Sequence, residues 1–240
     1  MKLIPSFAVF LAAMVLSSIG HAQVTKQLTT SGSIHDPAGV GNEVNGSNFY
    51  GTGNDEATAE YGVATFNYTP ADFGAAGLTD ITQFDFELSH AGATFRDGSS
   101  FALFLTTDDF DSSFSTLTYD TTLFGGLDTS QFVDLSLLGI FPYDPTEANG
   151  NTDTLSIPLS TTQEAAILSE INSSSDFSLV ITATNTTGDV TFSSNAGDGG
   201  ADGQPLLTIN SSSASAVPEP TALGALAIVG LAGLSRRRRR

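Results

Sequence analysis

Apolar and polar residues alternate with a period of two along much of the middle of the chain. In residues 81–90, every second side chain faces one side of a predicted strand: Thr82, Phe84, Phe86 and Leu88. Such alternation is typical of a half-buried strand, because successive side chains of a strand point to opposite faces. Further candidate strands lie at residues 61–68, 101–105, 132–140, 155–159, 177–184, 190–193 and 206–209. Gly, Asp, Asn and Ser fill the intervals, as turns between strands require.

One segment has the period of a helix instead. Ile167, Leu168 and Ile171 fall on one helical face. Thr161 followed by Glu164 has the spacing of a capping box, so Thr161 is predicted to be the N-cap of the helix, and the serines at 173–175 are predicted to end it. Many short strands with one short helix, and no internal repeat, predict an all-β fold: a two-sheet β-sandwich of jelly-roll type.

Charge is distributed very unevenly. Between residues 24 and 215, Lys26 and Arg96 are the only cations against 25 acidic residues, which gives a formal charge of −23. Such a surface repels nucleic-acid phosphates and anionic lipid headgroups, so no nucleic-acid partner is expected. Most of these carboxylates are interpreted as a solvated surface. The chain has no Cys, which excludes disulfides, thiolate metal sites and a Cys nucleophile.

Residues 1–22 have the three parts of a secretory signal peptide. Lys2 supplies a positive charge, residues 3–19 are mostly apolar, and Gly20 and Ala22 place small residues before a cleavage point. We therefore predict that the export machinery cleaves the chain between Ala22 and Gln23. The alternative is an uncleaved membrane anchor, for which the apolar run is short.

Residues 217–240 combine three elements in a fixed order. A Ser/Ala linker at 211–216 leads into Val217, Pro218, Glu219 and Pro220, where the two prolines keep the backbone extended. Residues 222–234 are uncharged and nearly all apolar, and a basic cluster closes the chain: Arg236, Arg237, Arg238, Arg239 and Arg240. Such a helix spans about 20 Å against ~30 Å of hydrocarbon, so we predict a short transmembrane helix with its arginines on the cytoplasmic side. A single-span anchor that is never processed is the alternative.

The Val-Pro-Glu-Pro sequence, the short apolar run and the terminal Arg cluster together resemble the PEP-CTERM sorting signal. The resemblance implies a Gram-negative bacterium that makes exopolysaccharide. It also implies recognition by an exosortase, a polytopic membrane thiol protease that acts near the Pro-Glu-Pro motif. The protein would be anchored transiently in the inner membrane and then reach the cell surface or the extracellular space. A sorting signal of this kind indicates where the protein is directed, and it does not indicate the function of the domain that carries it.

The domain between the two signals, residues 23–210, resembles DNRLRE-type and carbohydrate-binding-module-like jelly rolls in its pattern. The segments that carry this resemblance are residues 61–66, 177–183, 190–194 and 204–209. It implies a β-sandwich that contacts polysaccharide, and it assigns no binding residue.

No residue pattern predicts catalytic, cofactor-binding or metal-ligating residues. His35 and His90 are the two histidines after the leader, and neither has the spacing of a metal or catalytic site, so both are interpreted as solvated. There is no Trp, which leaves few aromatic platforms for sugar. Calcium is the one ligand considered, because residues 108–112 and 195–203 collect the oxygen atoms that calcium prefers. Neither loop has the EF-hand spacing, and the alternative is two solvated acidic turns.

Two functions fit these observations. The first is an exported, non-catalytic cell-surface or extracellular-matrix protein, sorted by an exosortase and associated with exopolysaccharide in a biofilm. The second is a secreted hydrolase or lyase that acts on polysaccharide. The absence of a catalytic spacing and of Trp favours the first.

Overall fold

The computed structural model describes residues 22–35, 43–44, 48–52, 60–91, 96–108, 110, 117–118, 127–184, 188–193 and 203–212. Strands predominate among these residues. They are β1 (Ala22–Gln27), β2 (Thr30–His35), β3 (Glu43–Val44), β4 (Asn48–Thr52), β5 (Glu60–Asn67), β6 (Gln83–Ser89), β7 (Ser100–Thr106), β8 (Ser136–Pro142), β9 (Thr152–Ser156), β10 (Asp176–Ala183), β11 (Asp189–Ser193) and β12 (Leu206–Ser211). One α-helix, α1, spans Thr161–Ser173, and short 3₁₀ helices span Pro70–Phe73 and Thr129–Gln131.

The strands form two large antiparallel sheets. One sheet has four strands in the order β1-β12-β6-β9, and the other has six strands in the order β3-β2-β5-β10-β7-β8. Strands β11 and β4 form a separate two-stranded sheet. Apolar side chains of the two large sheets pack into one shared core. The prediction of an all-β sandwich with a helix is confirmed at this level.

The core fills the space between the two large sheets. Phe84, Phe86 and Leu88 of β6 are buried, because they share the face that is turned towards the six-stranded sheet. Phe66 of β5 meets Phe86 across the interface, with ring centroids 6.0 Å apart and ring planes at 90°. An edge-to-face pair of this kind adds about 0.5–1.5 kcal/mol to the effect of burial. Thr82 was predicted to share the buried face but lies exposed, just before β6 begins.

Strand β10 is buried on both faces, although polar residues alternate with apolar ones along part of its sequence. Ser178 and Thr182 are as inaccessible as the apolar residues between them. The reason is a second apolar cluster on the outer face of the six-stranded sheet, where residues from the segment between β7 and β8 cover β2, β5 and β10. Its buried members are Ile34, Tyr61, Val63, Phe110, Leu117, Leu127, Phe132 and Val180. The Ser178 hydroxyl is satisfied there by the Thr65 hydroxyl, at 2.9 Å, and by the Asp108 carbonyl.

Helix α1 begins one residue earlier than predicted. Ser160 is the N-cap and forms the capping box with Gln163, so the assignment of these roles to Thr161 and Glu164 is wrong. The Glu164 carboxylate accepts a hydrogen bond from the Ile81 backbone N–H instead, at 2.9 Å. Ile167 and Ile171 are buried in the main core, as the helical periodicity requires.

The sequence pattern missed four strands and misplaced two others, one of which is β9, predicted at 155–159 but observed at Thr152–Ser156. Strands β1 to β4 are short or polar and were not predicted. The strand predicted at 132–140 begins only at Ser136, after the 3₁₀ helix, and a β-bulge interrupts its pairing with β7 between Leu103 and Phe104. Val133, Leu137 and Ile140 remain exposed along this edge of the six-stranded sheet, and Ile140 is 63% accessible.

Candidate functional site

The two ends of the described domain lie side by side in the four-stranded sheet. Strand β1 pairs with β12 in antiparallel register, so that Ala22 is opposite Ser211 and Gln23 is opposite Asn210. Strand β6 begins and β9 ends at the same end of the sheet. We call this end, marked by Ala22, Gln83, Ser156 and Ser211, the exit end. The opposite end of the same sheet is called the far end.

Besides its pairing with β12, strand β1 contacts the domain through the single cation that it carries, Lys26. Lys26 Nζ donates to Asp72 Oδ2 at 2.6 Å and lies 5.2 Å from the centre of the Tyr68 ring. Burial alone would raise the pKa of Asp72, but hydrogen bonds from Lys26 and Thr69 outweigh it and lower that pKa. Burial raises the pKa of Tyr68, whose hydroxyl donates to the Leu207 carbonyl of β12. The first and last strands are therefore tied to the same small cluster.

The outer face of the four-stranded sheet is a polar surface. Successive side chains of each strand point to opposite faces, so every second residue contributes a hydroxyl, amide or carboxylate to this outer face. These residues are Thr25, Gln83, Asp85, Glu87, Thr154, Ser156, Thr208 and Asn210. Some of these groups are joined across strands: Thr25 and Thr208 hydroxyls are 2.7 Å apart, and the Asn210 amide donates to Gln83. Near the exit end this face borders an open depression of about 410 Å³. Such a surface offers many hydrogen-bond donors and acceptors but no aromatic ring.

At the far end, His90 is enclosed rather than solvated, which corrects the interpretation of this residue. It is 0% accessible, stacks on Tyr143 with ring centroids 5.1 Å apart, and meets the edge of Phe192 at 5.3 Å. Its Nε2 lies 2.9 Å from Asp153 Oδ2. Its Nδ1 has no hydrogen-bond partner among the described residues. The pairing of β6 with β9 makes this contact, since it sets Leu88 opposite Asp153.

Tyr143 continues this arrangement towards Arg96, the second of the two cations. Its hydroxyl lies 3.3 Å from both the N–H and the carbonyl of Thr191 and accepts from Arg96 Nε at 3.2 Å. Arg96 also donates to the Glu147 carbonyl. Burial raises the pKa of Tyr143, although its hydrogen bonds to Thr191 and Arg96 oppose that rise.

The carboxylates beside His90 line an open groove of about 330 Å³. Asp144, Glu147 and Asp153 contribute to its walls, together with Tyr143 and Leu155. Asp144 Oδ1 accepts from the backbone N–H and hydroxyl of Thr146, which lowers the pKa of Asp144. A general acid or base must come within hydrogen-bond reach of its substrate. Because the His90 ring is buried and the Tyr143 hydroxyl is engaged by backbone groups, the accessible chemistry of the groove is that of carboxylate acceptors.

The predicted site residues are only partly within the described residues. Ala22 and Gln23 lie in β1, whereas Val217, Pro218, Glu219, Pro220 and Arg236 to Arg240 lie outside. Asp108, in the first candidate calcium loop, uses Oδ2 to accept from the Val133 N–H and the Thr106 hydroxyl, at 2.6 and 3.0 Å. Most of that loop and all but Gly203 of residues 195–203 lie outside the described residues. His35 ends β2.

In the described part of the chain, no three His, Asp or Glu side chains are grouped so that they could hold a metal ion. Nor does any described helix combine the length and the apolar character needed to cross a membrane. The apolar segment at 222–234 lies outside that part of the chain.

Comparison with known proteins leaves the chain to be interpreted on its own residues. No protein-family model matches it, and no curated protein matches its sequence. The sorting signal and the jelly-roll resemblance stay predictions on this basis.

Proposed function

We propose that this protein is an exported, non-catalytic surface or matrix protein that an exosortase processes at its C-terminal signal and that associates with exopolysaccharide. The observation that carries the proposal is the order of three elements at 217–240: an extended Pro-Glu-Pro, a short apolar run and five arginines. Each has a separate physical role. The prolines present an extended backbone to a protease, the apolar run concentrates the chain in the bilayer, and the arginines stop translocation.

The limits of the fold are compatible with this arrangement. The first described strand begins at Ala22, beside the proposed leader cleavage point, and the last ends at Ser211, where the linker begins. The domain between them would be exported through the inner membrane, held there transiently by residues 222–234, and then released to the surface or the medium. We also propose that the sandwich is of the jelly-roll type, since its first and last strands are neighbours in one sheet.

The polar surface of the domain supports the proposed binding role. The polar outer face of the four-stranded sheet can exchange hydrogen bonds with the hydroxyls of a hydrated polysaccharide. The enclosed positions of His90 and Tyr143 leave no accessible ring nitrogen or free phenol in the groove at the far end. Co-sedimentation of the purified protein with the producer's polysaccharide, without new reducing ends, is the expected result. New reducing ends would instead support a polysaccharide hydrolase or lyase.

Substitution of Glu219 tests the sorting proposal. Glu219→Ala removes the charge of the motif, and we expect the chain to stay bound to the membrane and unprocessed. The neighbouring Thr221→Ala, a matched control outside the motif, should be processed normally. Deletion of Arg236 to Arg240 removes the translocation stop, so the chain should pass through unprocessed.

The intact mass of the protein recovered from membrane, surface and medium identifies its N-terminal and C-terminal residues in one measurement. The surface form should begin at Gln23 and lack Arg240. If the surface form retains Arg240, or if processing is unchanged in a strain without the exosortase, the tail is a plain anchor and the proposal fails. A surface form that begins at Met1 would refute the leader assignment.

A further inference from the structure

At the exit end, the half-buried carboxylate of Asp80 holds the end of the described chain. Asp80 Oδ1 accepts from the Ser211 hydroxyl at 2.8 Å and from the Ser212 N–H at 3.1 Å, while Oδ2 accepts from the Ser212 hydroxyl. Thr82 adds a backbone hydrogen bond to the Asn210 carbonyl, at 2.8 Å. We call this set of contacts the Asp80 clamp. The clamp therefore holds the chain as far as Ser212, the last residue that the structure describes.

The length of chain between the clamp and the sorting motif is short. Six residue steps separate Ser212 from Pro218. Even fully extended, six residue steps reach only about 20 Å. Strand β6 alone, with its seven residues, extends over about 23 Å. The tether is thus no longer than the domain itself, and the domain cannot turn freely with respect to whatever holds Pro218.

We propose that the exit end is the face that the exported domain presents to the membrane while the tail is still inserted, with the groove at the far end pointing away from it. This inference rests on the proposed function of residues 217–240. The facing surface is the phospholipid headgroup layer. Attraction to lipid is not what holds it there, because the two cations of the domain, Lys26 and Arg96, are both engaged in contacts of their own away from the clamp. The short tether alone enforces the orientation, and the acidic domain leaves the membrane once the tether is cut.

Because the chain has no Cys, a single introduced Cys can carry a dye at one chosen position, and the orientation of the domain can be measured. A single dye is placed at Ser156→Cys at the exit end, or at Ala148→Cys near the far end, both exposed positions. The mature full-length chain is inserted into phosphatidylethanolamine/phosphatidylglycerol vesicles that contain an acceptor-labelled lipid. We expect energy transfer to be clearly stronger from residue 156 than from residue 148. An insertion of twenty Gly/Ser residues after Ser213 should remove most of that difference.

Two outcomes overturn the inference in distinguishable ways. Equal or reversed transfer from the two positions, in a chain that floats with the vesicles, refutes the orientation and leaves the sorting proposal intact. A chain that does not float with the vesicles refutes the anchoring role of the tail and the orientation with it.

The clamp itself is tested by Asp80→Ala. Loss of its three hydrogen bonds should release Ser212, speed hydrogen exchange at the end of β12, and reduce the difference in energy transfer by lengthening the tether. Asp144→Ala is the matched control, because Asp144 also accepts from an N–H and a hydroxyl but lies at the far end. It should leave both readouts unchanged. A D80A variant with native exchange at the end of β12 would show that the clamp does not define the exit.

Discussion

Replacement of Lys26 by Met tests how the first strand is retained in the sheet. Met keeps the apolar contacts of the side chain but removes the ammonium group that bonds Asp72 and lies over Tyr68. Lys26 and Asp72 side chains are 29% and 26% accessible, so solvent screens the pair substantially. Pairs of this kind contribute about 0.2–1 kcal/mol, and a cation over a partly exposed ring about 0.5–1 kcal/mol. We therefore expect Lys26→Met to lower the free energy of unfolding by about 1 kcal/mol.

The pH dependence of this loss follows from the lowered pKa of Asp72. A carboxylate whose pKa is lower in the folded chain than in the unfolded chain stabilises the fold above the unfolded pKa. That contribution disappears as the pH falls through the folded pKa, because protonation then removes the charge that Lys26 contacts. The difference between native protein and variant should be complete at neutral pH and shrink below about pH 4.

Urea unfolding of the chain from Gln23 to Ser212 measures the effect. A double-mutant cycle with Lys26→Met and Asp72→Asn should give a coupling of about 0.5–1 kcal/mol at neutral pH. Thr25→Val, which removes an uncharged contact from the same strand, is the control and should show no change in its effect with pH. A coupling near zero, or a Lys26→Met loss that persists in full in acid, would refute the electrostatic account of how β1 is held.

Two other predictions concern the core and the candidate calcium loops. Phe86→Ala should lower the free energy of unfolding by about 3–5 kcal/mol because Phe86 is fully buried, whereas Ile140→Ala on the exposed edge should change it by less than about 0.5 kcal/mol; comparable losses in urea unfolding would contradict the assigned core. If residues 108–112 or 195–203 bind calcium, millimolar calcium should raise the melting temperature, chelation should reverse the rise, and magnesium should substitute poorly. A melting temperature indifferent to calcium would leave both loops as solvated turns.

The sequence predicted β6 well and β10 less completely, for one physical reason. In β6 only one face is buried, so Phe84, Phe86 and Leu88 stand out against polar neighbours. In β10 both faces are covered, and the Ser178 hydroxyl is buried through hydrogen bonds to Thr65 and Asp108, which lie in distant segments of the chain. A period of two identifies a strand in both cases. Polar residues at alternate positions correctly indicate an exposed face only when no other segment of the chain covers that face.

The start of α1 shows where local rules become ambiguous. Ser160 with Gln163 and Thr161 with Glu164 are two overlapping capping boxes, and local propensity does not distinguish them. Tertiary contacts decide between them: Gln163 also donates to the Leu137 carbonyl of β8, at 2.9 Å, and Glu164 accepts from Ile81. The sequence carries both boxes, but the neighbouring strand and loop select one.

The spacing of residues along the sequence could not predict the environment of His90. Its partner Asp153 lies 63 residues away and reaches it only through the pairing of β6 with β9. Tyr143 and Phe192, which enclose the ring, come from two further segments. A motif of fixed short spacing cannot contain such a set, so a lone histidine in the sequence gave no sign of its burial.

If the chain is exported as proposed, the pairing of β1 with β12 orders its maturation. Strand β1 would then be the first strand of the described domain to leave a translocation channel, and β12 would be the last. Until residues 206–211 have emerged, β1 lacks its only neighbour in the four-stranded sheet, so the peptide bond between Ala22 and Gln23 remains in an unpaired segment. Once β12 arrives, that bond lies beside Asn210 and Ser211 in a hydrogen-bonded ladder, where a protease would have to open the sheet first. A leader cleaved between Ala22 and Gln23 is therefore removed most readily before the domain closes, and closure occurs when only the linker and the tail remain to be placed.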